Sequence, residues 1–290
     1  MPRAYYTLPV YNTSMRYLIF GDIHGNIHAL QAVLEAVKDT HFDAVIGTGD
    51  YISGLPGSHQ VISSLQDLAS TYQFFAVQGN HEETLLELRQ QHRPAWHADS
   101  RYAHIWAAEQ ELTDQDIAWL RTLPPQYIVG RPGEPTVLVT HRRIDDFTYN
   151  CQIYGHTHLP TWQTDKYTYL NPGSVGLGFT NQARAEYAFL ELNNDGRRVE
   201  LLSVDYDRTA ALKSLRRSPL RHSQLRFDQM VAKSIKESAD WVRLYPKMVR
   251  QLAAKGGYTS LDDAPLRYWH YVREHILANQ PLKELINDLG

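Results

Sequence analysis

The sequence predicts an α/β protein whose first half is built on a parallel sheet. Three times within residues 17–91, an apolar run of strand length leads into a polar turn and then into helical spacing of apolar residues. This order is typical of βαβ units. Residues 136–204 hold closely spaced strand-like runs with little helix, which indicates a second sheet or one long mixed sheet folded over. From residue 205 onward helical spacing dominates.

The first unit has the clearest pattern. Its apolar run at residues 18–20 has no polar interruption, as in a strand that is buried on both faces. Apolar residues at helical spacing follow over residues 27–37. Asp22 and His24 therefore fall where a central strand meets a helix. In an extended segment, residues two apart point to the same side, so we expect these two side chains to converge.

The second and third units repeat this order. One apolar run ends at Asp50, and the next ends at Asn80 and His81. Helical spacing follows each of them. Asn80 also has a structural interpretation, because it is a good helix N-cap and Glu83 would complete a capping box. The amphipathic stretch from residue 93 to the proline pair that begins at Pro124 is predicted to be mostly helical and to lie over the sheet.

The strand-like runs of the second half also end in polar residues. One ends at His141, the next at His156 and His158, and a third at Asn171. The Asn-Asn-Asp-Gly turn at residues 193–196 predicts a hairpin between two further strands.

Apart from Asn171, which begins an ordinary Asn-Pro-Gly turn, aspartate, asparagine and histidine stand at five strand ends. The carboxyl ends of strands in such sheets face a common crevice where ligands bind. Each residue alone also fits an ordinary turn, a helix cap or a satisfied interior histidine, but all of these explanations would have to coincide. No thiol is among them, and oxygen with imidazole ligands suits Mn, Fe, Zn, Co or Ni better than Mg or Ca alone. The pattern therefore predicts a metal site.

Composition limits the possible partners. The 290-residue chain has a formal net charge of −3, which gives no strong signal for a nucleic-acid partner. Residues 205–290 carry 15 basic and 10 acidic residues, whereas the preceding part has 14 basic and 22 acidic residues. An acidic body with a basic tail fits a protein that binds cations in its body. We expect a main domain at residues 15–205 and a helical extension at residues 206–290 that packs on it.

The cysteine content and the lack of long apolar runs indicate where the protein is located. The single cysteine, Cys151, excludes an internal disulfide and favours a reducing compartment. No apolar run approaches the roughly 20 residues of a membrane span. Residues 1–14 lack the apolar core of a secretory signal, so we expect them to be a flexible leader and the protein to be cytoplasmic.

The order of these motifs resembles that of calcineurin-like metallophosphoesterases. The motifs are Gly-Asp-x-His-Gly-Asn at 21–26, Gly-Asp at 49–50, Gly-Asn-His-Glu at 79–82, His141, and Gly-His-Thr-His at 155–158. Asn-Pro-Gly-Ser at 171–174 is similar to the small bacterial and archaeal phosphodiesterase branch. The resemblance covers roughly residues 16–205. It implies an α/β (or α+β) four-layer αββα sandwich with a two-metal centre between the sheets, here followed by a C-terminal helical extension.

The resemblance also implies roles for individual residues. It assigns three ligands to a first metal: Asp22, His24 and His158. It assigns three more to a second metal: Asn80, His141 and His156. Asp50 would bridge the two ions, most plausibly Mn or Fe. A hydroxide between the metals would attack phosphorus, and His81 would hold the phosphate and protonate the leaving alkoxide.

Two features depart from the family pattern. Arg142 and Arg143 follow His141 where relatives usually have glycine, and only 15 residues separate His141 from His156, where relatives often place a helix. We expect a short lid. On the alternation of an extended segment, Arg143 should face the crevice with His141 and hold a second phosphate, while Arg142 faces solvent. Asn26 is also predicted to contact substrate.

These expectations predict a metal-dependent hydrolase of phosphate mono- or diesters. The substrate would be a phosphorylated small molecule, a nucleotide or a phosphopeptide. Asymmetric dinucleoside tetraphosphate hydrolysis and serine/threonine protein dephosphorylation are alternatives. A non-catalytic scaffold that retains the fold is a further alternative, although a scaffold would have no reason to keep a complete ligand set.

Overall fold

The structure is a computed structural model that describes residues 4–7, 14–91, 99–130, 137–144, 148–149, 151–165, 167–180, 183–193 and 196–279. These residues form two mixed sheets flanked by helices, so the predicted α/β sandwich with a C-terminal helical part is confirmed. Within the described ranges, no helix has the length and apolar character that crossing a membrane requires.

A five-stranded sheet contains the three predicted βα units. Its parallel strands are β2 (Ser14–Phe20), β3 (Ala44–Gly47) and β4 (Gln73–Ala76). The helices that follow them are α1 (Ile27–Val37), α2 (Ser58–Thr71) and α3 (Asn80–Gln91). The predicted hairpin, β10 (Ala185–Asn193) with β11 (Gly196–Val204), extends this sheet on the side of β2. The carboxyl ends of the parallel strands therefore open at one edge.

The second half supplies most of a six-stranded sheet. Its strands are β1 (Ala4–Thr7), β5 (Gln126–Gly130), β6 (Val137–Thr140), β7 (Cys151–Ile153), β8 (Thr161–Thr164) and β9 (Thr168–Asn171). Their spatial order is β1-β5-β6-β7-β9-β8. In the short connection between His141 and His156, the described residues contain no helix, as expected from its length.

Strand β1 corrects the prediction of a flexible leader. Ala4–Thr7 lies within that leader, yet it pairs in parallel with β5 and covers an edge that would otherwise expose unpaired backbone groups. The prediction considered only the absence of an apolar signal segment, and edge pairing with a distant strand leaves little local pattern. Residues 1–3 and 8–13 of the predicted leader lie outside the described residues.

Apolar side chains pack on both faces of the five-stranded sheet. Tyr17 and Ile19 point toward the other sheet, where Ile153 and its neighbours fill the space between the two. Leu18 and Phe20 point the opposite way, into a core that the helices cover. Burying each such side chain stabilises the fold by about 1.5–3 kcal/mol. This alternation explains why the strand reads as a continuous apolar run.

Two further helices complete the covering layer. They are α4 (Ala103–Glu109) and α5 (Asp114–Thr122). Thr113 and Asp116 form a capping box at the start of α5, so the predicted helix before Pro124 is confirmed. Residues 92–98 of the predicted helical stretch lie outside the described part of the chain. On the outer face of the six-stranded sheet, the described apolar cluster of Ile128, Leu138 and Tyr149 includes no helical residue.

Residues 208–277 are mostly helical, as predicted for the chain beyond residue 205. Its α-helices are α6 (Arg208–Ser214), α7 (Phe227–Glu237), α8 (Trp241–Lys255) and α9 (Leu266–Leu277). Two short 3₁₀-helices, Leu215–Arg217 and Pro219–His222, follow α6. The aromatic residues Phe227, Tyr245 and Trp269 join α7, α8 and α9 in one core. Pro246 lies inside α8.

Candidate metal centre

The predicted ligands meet where the carboxyl ends of strands from both sheets face each other. Within the five-stranded sheet, the backbone N–H of Asp22 donates to Gly49 O at 2.9 Å, which ties the first two turns together. Between the sheets, the backbone N–H of His156 donates to the Asp22 carboxylate at 3.0 Å. These bonds bring residues that are 134 positions apart in sequence into one cluster.

Five of these residues have a left-handed backbone. The φ angles are +48° at Asp22, +51° at His24, +54° at Asp50, +66° at His156 and +58° at His158. Such a conformation costs a residue with a Cβ about 1–2 kcal/mol. Strain of this kind collects at functional sites, where the surrounding structure holds it in place. Asp22 and His24 therefore converge because of a turn, and not through the extended geometry that we expected.

The first cluster consists of Asp22, His24 and His158, whose ligand atoms lie within 4.8 Å of one another. His24 Nε2 lies 3.0 Å from His158 Nε2, which is itself 3.2 Å from Asp22 Oδ1. His158 Nδ1 donates to the backbone oxygen of Leu177 at 2.9 Å, so its Nε2 is directed at the centre. These are the residues that the family resemblance groups around the first metal.

The second cluster consists of Asp50, His141 and His156. His141 Nε2 lies 3.3 Å from Asp50 Oδ2 and 3.0 Å from Asn80 Oδ1. Its Nδ1 donates to the backbone oxygen of Thr48 at 2.8 Å, which again directs Nε2 inward. Asn80 is thereby placed with this cluster, as the resemblance implies.

Asp50 lies between the two clusters. Its Oδ2 is 3.3 Å from His141 Nε2 and 4.0 Å from His24 Nε2. Gly79 packs so closely against Asp50 that only glycine fits at position 79. A Cβ there would lie 2.2 Å from Asp50 Oδ1. The backbone thus brings the second and third turns into direct contact around Asp50.

Burial and neighbouring charge set the protonation of the cluster. Burial, helped by His81 and His158, lowers the pKa of His24 well below its usual value, so its imidazole is neutral. Burial also acts against a charge on His141, yet the adjacent Asp50 carboxylate raises the pKa of His141 to about 10. The same pairing holds the pKa of Asp50 well below its usual range although burial opposes it. The negative charge of Asp50 therefore stabilises positive charge beside it.

The donor set fits divalent cations. Three nitrogen or oxygen atoms converge in each cluster, and because Nδ1 of His141 and of His158 bonds to a backbone oxygen, the Nε2 atom of each ring is the one that could bind a metal. The His24 Nδ1 atom is buried and has no hydrogen-bond partner within the described residues. Imidazole and carboxylate donors without sulfur match first-row divalent metals.

His81 lies beside the clusters. Its backbone N–H donates to Asp50 Oδ1 at 2.9 Å, and its Nε2 is 3.8 Å from Asp50 Oδ2. Its Nδ1 is 2.8 Å from Ser53 Oγ. Ser53 is 1% exposed and fixes the ring, but no sequence pattern distinguished it from other loop serines. The structure thus aims His81 Nε2 at the centre.

A cavity of about 710 Å³ lies over the clusters. Its floor includes His24, Asp50 and His81, while α7 and α8 supply a wall through Phe227 and Arg243. Phe179 stacks on the ring of His158 with 4.8 Å between centroids and adds an apolar side. The cavity therefore joins the polar strand ends to the C-terminal helices.

A profile of the calcineurin-like phosphoesterase superfamily domain matches residues 15–195, which is more than half of the chain. The chain belongs to the calcineurin-like phosphoesterase superfamily. The match confirms the resemblance and ends before α6, so the helices that wall the cavity lie beyond the shared domain.

Two solved structures and one further relative are similar to this chain. A metallophosphoesterase from Sphaerobacter thermophilus is similar to this phosphoesterase-family protein with a TM-score of 0.58 and 20% identity, covering 78% of this chain and 100% of that one. A hypothetical protein from Pyrococcus horikoshii OT3 gives a TM-score of 0.61 at 17% identity, covering 76% and 97%. An uncharacterised protein of Methanocaldococcus jannaschii is 23% identical over 220 residues, or 65% of this chain and 87% of the relative. At these identities the likenesses support the fold alone.

In this phosphoesterase-family protein, Glu82 holds the turn that carries Asp50, a position that no sequence pattern indicated. The Glu82 side chain is fully buried and accepts four backbone N–H groups, from Gly79, Asp50, Tyr51 and Ile52, at 2.8–3.2 Å. The Glu82 carboxylate accepts the N–H of Gly79, the residue before α3. The alternative in which Asn80 is the N-cap and Glu83 completes a capping box does not occur, because α3 begins at Asn80 and the N–H of Glu83 donates to Gly79 O. Three of the four hydrogen-bonding partners lie 30–32 positions upstream, beyond the reach of any local capping pattern.

Asn26 has a structural position. Its amide oxygen accepts the N–H of Ala29 at 3.2 Å and its amide nitrogen donates to Gly176 O at 3.0 Å. The side chain is 0% exposed and caps α1. The prediction that Asn26 contacts substrate is therefore wrong, because both ends of its amide are used inside the fold.

Each of the two arginines after His141 lies where the other was predicted to lie. Arg143 lies over the ring of Tyr169, with its guanidinium carbon 3.7 Å from the ring centroid. Arg142 lines the cavity instead. The prediction assumed an extended segment, but β6 ends at Thr140 and the chain turns, so alternation no longer holds. The placement of Arg143 in the crevice is wrong.

Proposed function

We propose that this protein is a metal-dependent phosphoesterase that acts on small phosphorylated molecules. The observation that carries the proposal is the pair of Asp/His clusters beneath one cavity, in which Asp50 of the second cluster also lies 4.0 Å from His24 of the first. Membership of the superfamily supports it. A scaffold module would not need a cluster in which five residues hold a strained, left-handed backbone, because that strain costs stability.

Two ions, with Mn or Fe favoured over Zn, Co or Ni, would occupy the centre. One would be held by Asp22, His24 and His158. The other would be held by Asn80, His141 and His156. Asp50 would contact both. When bound, such divalent ions would make a water more acidic and neutralise phosphoryl oxygens.

The chain's own residues position the reacting groups. Thr48 O and Leu177 O fix the rings of His141 and His158, so that these ligands need no rearrangement. Ser53 holds His81 through Nδ1 and leaves Nε2 to donate a proton toward the phosphate or its leaving oxygen. The apolar wall around Phe179 and Phe227 limits water on the opposite side.

Cavity size supports a small substrate. A volume of about 710 Å³ is within the usual range for small-molecule sites, roughly 300–1,000 Å³. The walls from α7 and α8 would obstruct a folded phosphoprotein, which disfavours the protein phosphatase alternative. Nucleotides and dinucleoside polyphosphates remain compatible in chemistry. The buried, unpaired Cys151 agrees with the cytoplasmic location that we include in the proposal.

A substrate screen tests the function. Purified protein loaded with Mn should hydrolyse p-nitrophenyl phosphate and one or more of its diester, nucleotide and dinucleoside polyphosphate counterparts, and should lose that activity after chelation. Colorimetric phosphate release gives the measurement. Protein that binds Mn yet remains inert across these classes would favour the scaffold alternative.

The His81→Ala change tests the proton donor. We expect metal content to stay the same while turnover falls by ~10²–10⁴, the usual contribution of general acid–base catalysis. The loss should be smaller for p-nitrophenyl phosphate than for an alkyl phosphate, because p-nitrophenolate leaves without protonation. His41→Ala, at a side chain that is 85% exposed, is the matched control and should leave both rates unchanged. Equal losses for both leaving groups would show that His81 only binds phosphate.

A further inference from the structure

A second cavity adjoins the first, and its wall from α8 has no part in the chemistry proposed above. Its volume is about 510 Å³. It shares His81, His104 and Arg243 with the cavity over the metal centre. The rings of His81 and His104 are 5.2 Å apart, so the two spaces meet directly beside the proposed proton donor. A ligand held at the centre can therefore extend into this second cavity.

One face of α8 gives the second cavity a positive wall. Arg243, Lys247 and Arg250 all line it. Spacings of four and three residues put these side chains on the same face of a helix. The other face of α8 carries Tyr245 and Val249, which are 0% exposed and anchor the helix in the C-terminal core. The apolar anchor therefore fixes the direction of the three basic side chains.

Little acidic charge compensates this face. Arg243 has a partner in Asp240, with 3.5 Å between Arg243 Nε and Asp240 Oδ2. Lys247 and Arg250 have no ion pair within the part of the chain that the structure describes. Like charges at these spacings repel each other, so the arrangement weakens the isolated helix. An uncompensated basic face that lines a cavity is complementary to an anion.

The position of the basic face of α8 beside the metal centre indicates which anion it would bind. Its neighbour is a centre that would hold a phosphate, and arginine side chains bind phosphate oxygens through a planar pair of N–H donors. Tyr102 and Leu261 line the same cavity and offer apolar contact to an organic group. We propose that the α8 face binds a second phosphate of the substrate, so that the protein selects small organic molecules that carry at least two phosphates. This inference rests on the proposed phosphoesterase function.

Adenosine 5′-monophosphate and adenosine 5′-diphosphate are a suitable probe pair, because they differ by one phosphate. Each is measured as an inhibitor of p-nitrophenyl phosphate hydrolysis at a fixed free Mn concentration. We expect the diphosphate to bind at least about tenfold more tightly than the monophosphate in the wild-type protein. In Lys247→Ala and Arg250→Ala that ratio should fall several-fold, and in the double variant it should approach one.

Lys236→Ala is the matched control, because Lys236 is an exposed lysine on α7 that does not line either cavity. It removes the same charge and should keep the wild-type ratio. Calorimetric titration of the diphosphate into chelator-treated protein provides a second readout that does not depend on catalysis. There, too, the Lys247 and Arg250 variants should bind more weakly than the control.

The outcomes separate the two proposals. If p-nitrophenyl phosphate is hydrolysed but the diphosphate-to-monophosphate ratio is the same in every variant, the α8 site is wrong and the phosphoesterase function stands. If calorimetry shows diphosphate binding that the α8 variants lose, while every phosphoester remains intact, the phosphate site stands and the catalytic proposal is wrong. A wild-type protein that does not prefer the diphosphate by either method overturns the α8 proposal.

Discussion

The Asp50→Asn protein should retain little divalent metal and lose nearly all turnover. Asparagine keeps the shape and can still accept the backbone N–H of His81, but it removes the negative charge that lies 3.3 Å from His141 and 4.0 Å from His24. Changes outside the ligand shell already cost about 10–100-fold in metal affinity or activity, so loss of the shared ligand should exceed that range. Elemental analysis of bound metal and phosphate release are the measurements.

Asp39→Asn is the control for this change. Asp39 is exposed and lies in the turn after α1, away from the clusters, so the variant loses the same charge and should keep metal and turnover. Thermal unfolding of both variants checks that the fold is intact. Two bound ions together with normal activity in Asp50→Asn would disprove the position of Asp50 between the metals.

Glu82→Gln should destabilise the protein and weaken metal binding at the same time. Oε2 of Glu82 accepts the N–H groups of Gly79 and Asp50, while Oε1 accepts those of Tyr51 and Ile52. Glutamine can satisfy one of these pairs with its oxygen but presents an NH₂ group to the other. Each buried donor left without an acceptor costs about 1–3 kcal/mol, so the free energy of unfolding should fall by about 2–6 kcal/mol.

The neighbouring change Glu83→Gln is a matched control, because Glu83 is only half-buried and accepts none of these bonds. Urea unfolding in the presence of a chelator measures the stability difference without any contribution from bound metal. Metal titration then shows whether the turn that carries Asp50 has loosened. Equal stabilities of the two variants would mean that the carboxylate does not organise this turn.

The Asp and His residues of the centre were predictable because they end strands that are themselves easy to recognise. Asp22, Asp50 and His141 each follow an uninterrupted apolar run, and the geometry of a parallel sheet brings such ends together. Their convergence required no knowledge of the turn conformation. The left-handed backbone at Asp22 and Asp50 left no sign in the sequence, since only the surrounding fold imposes it.

Other features depended on contacts that no local pattern encodes. Glu82 bonds to a turn some 30 residues upstream. The exchange of Arg142 and Arg143 follows from one strand that ends a residue before His141. The uneven charge of the chain was visible in the sequence, but the direction of the basic face of α8 was not, because the packing of Tyr245 and Val249 against α7 and α9 sets it.

The helices that form a wall of the cavity can vary in sequence independently of the strand-end turns. The strand-end turns lie within the shared domain at residues 15–195, whereas α7 and α8, which supply one wall of the cavity, follow that domain. If the protein is the proposed phosphoesterase, substitutions on this helical wall should alter which molecule is admitted while the strand-end residues stay in place. Part of the substrate range would then be encoded in a different stretch of the chain from the chemistry, and exchanging the helical stretch between relatives would be a route to new specificities.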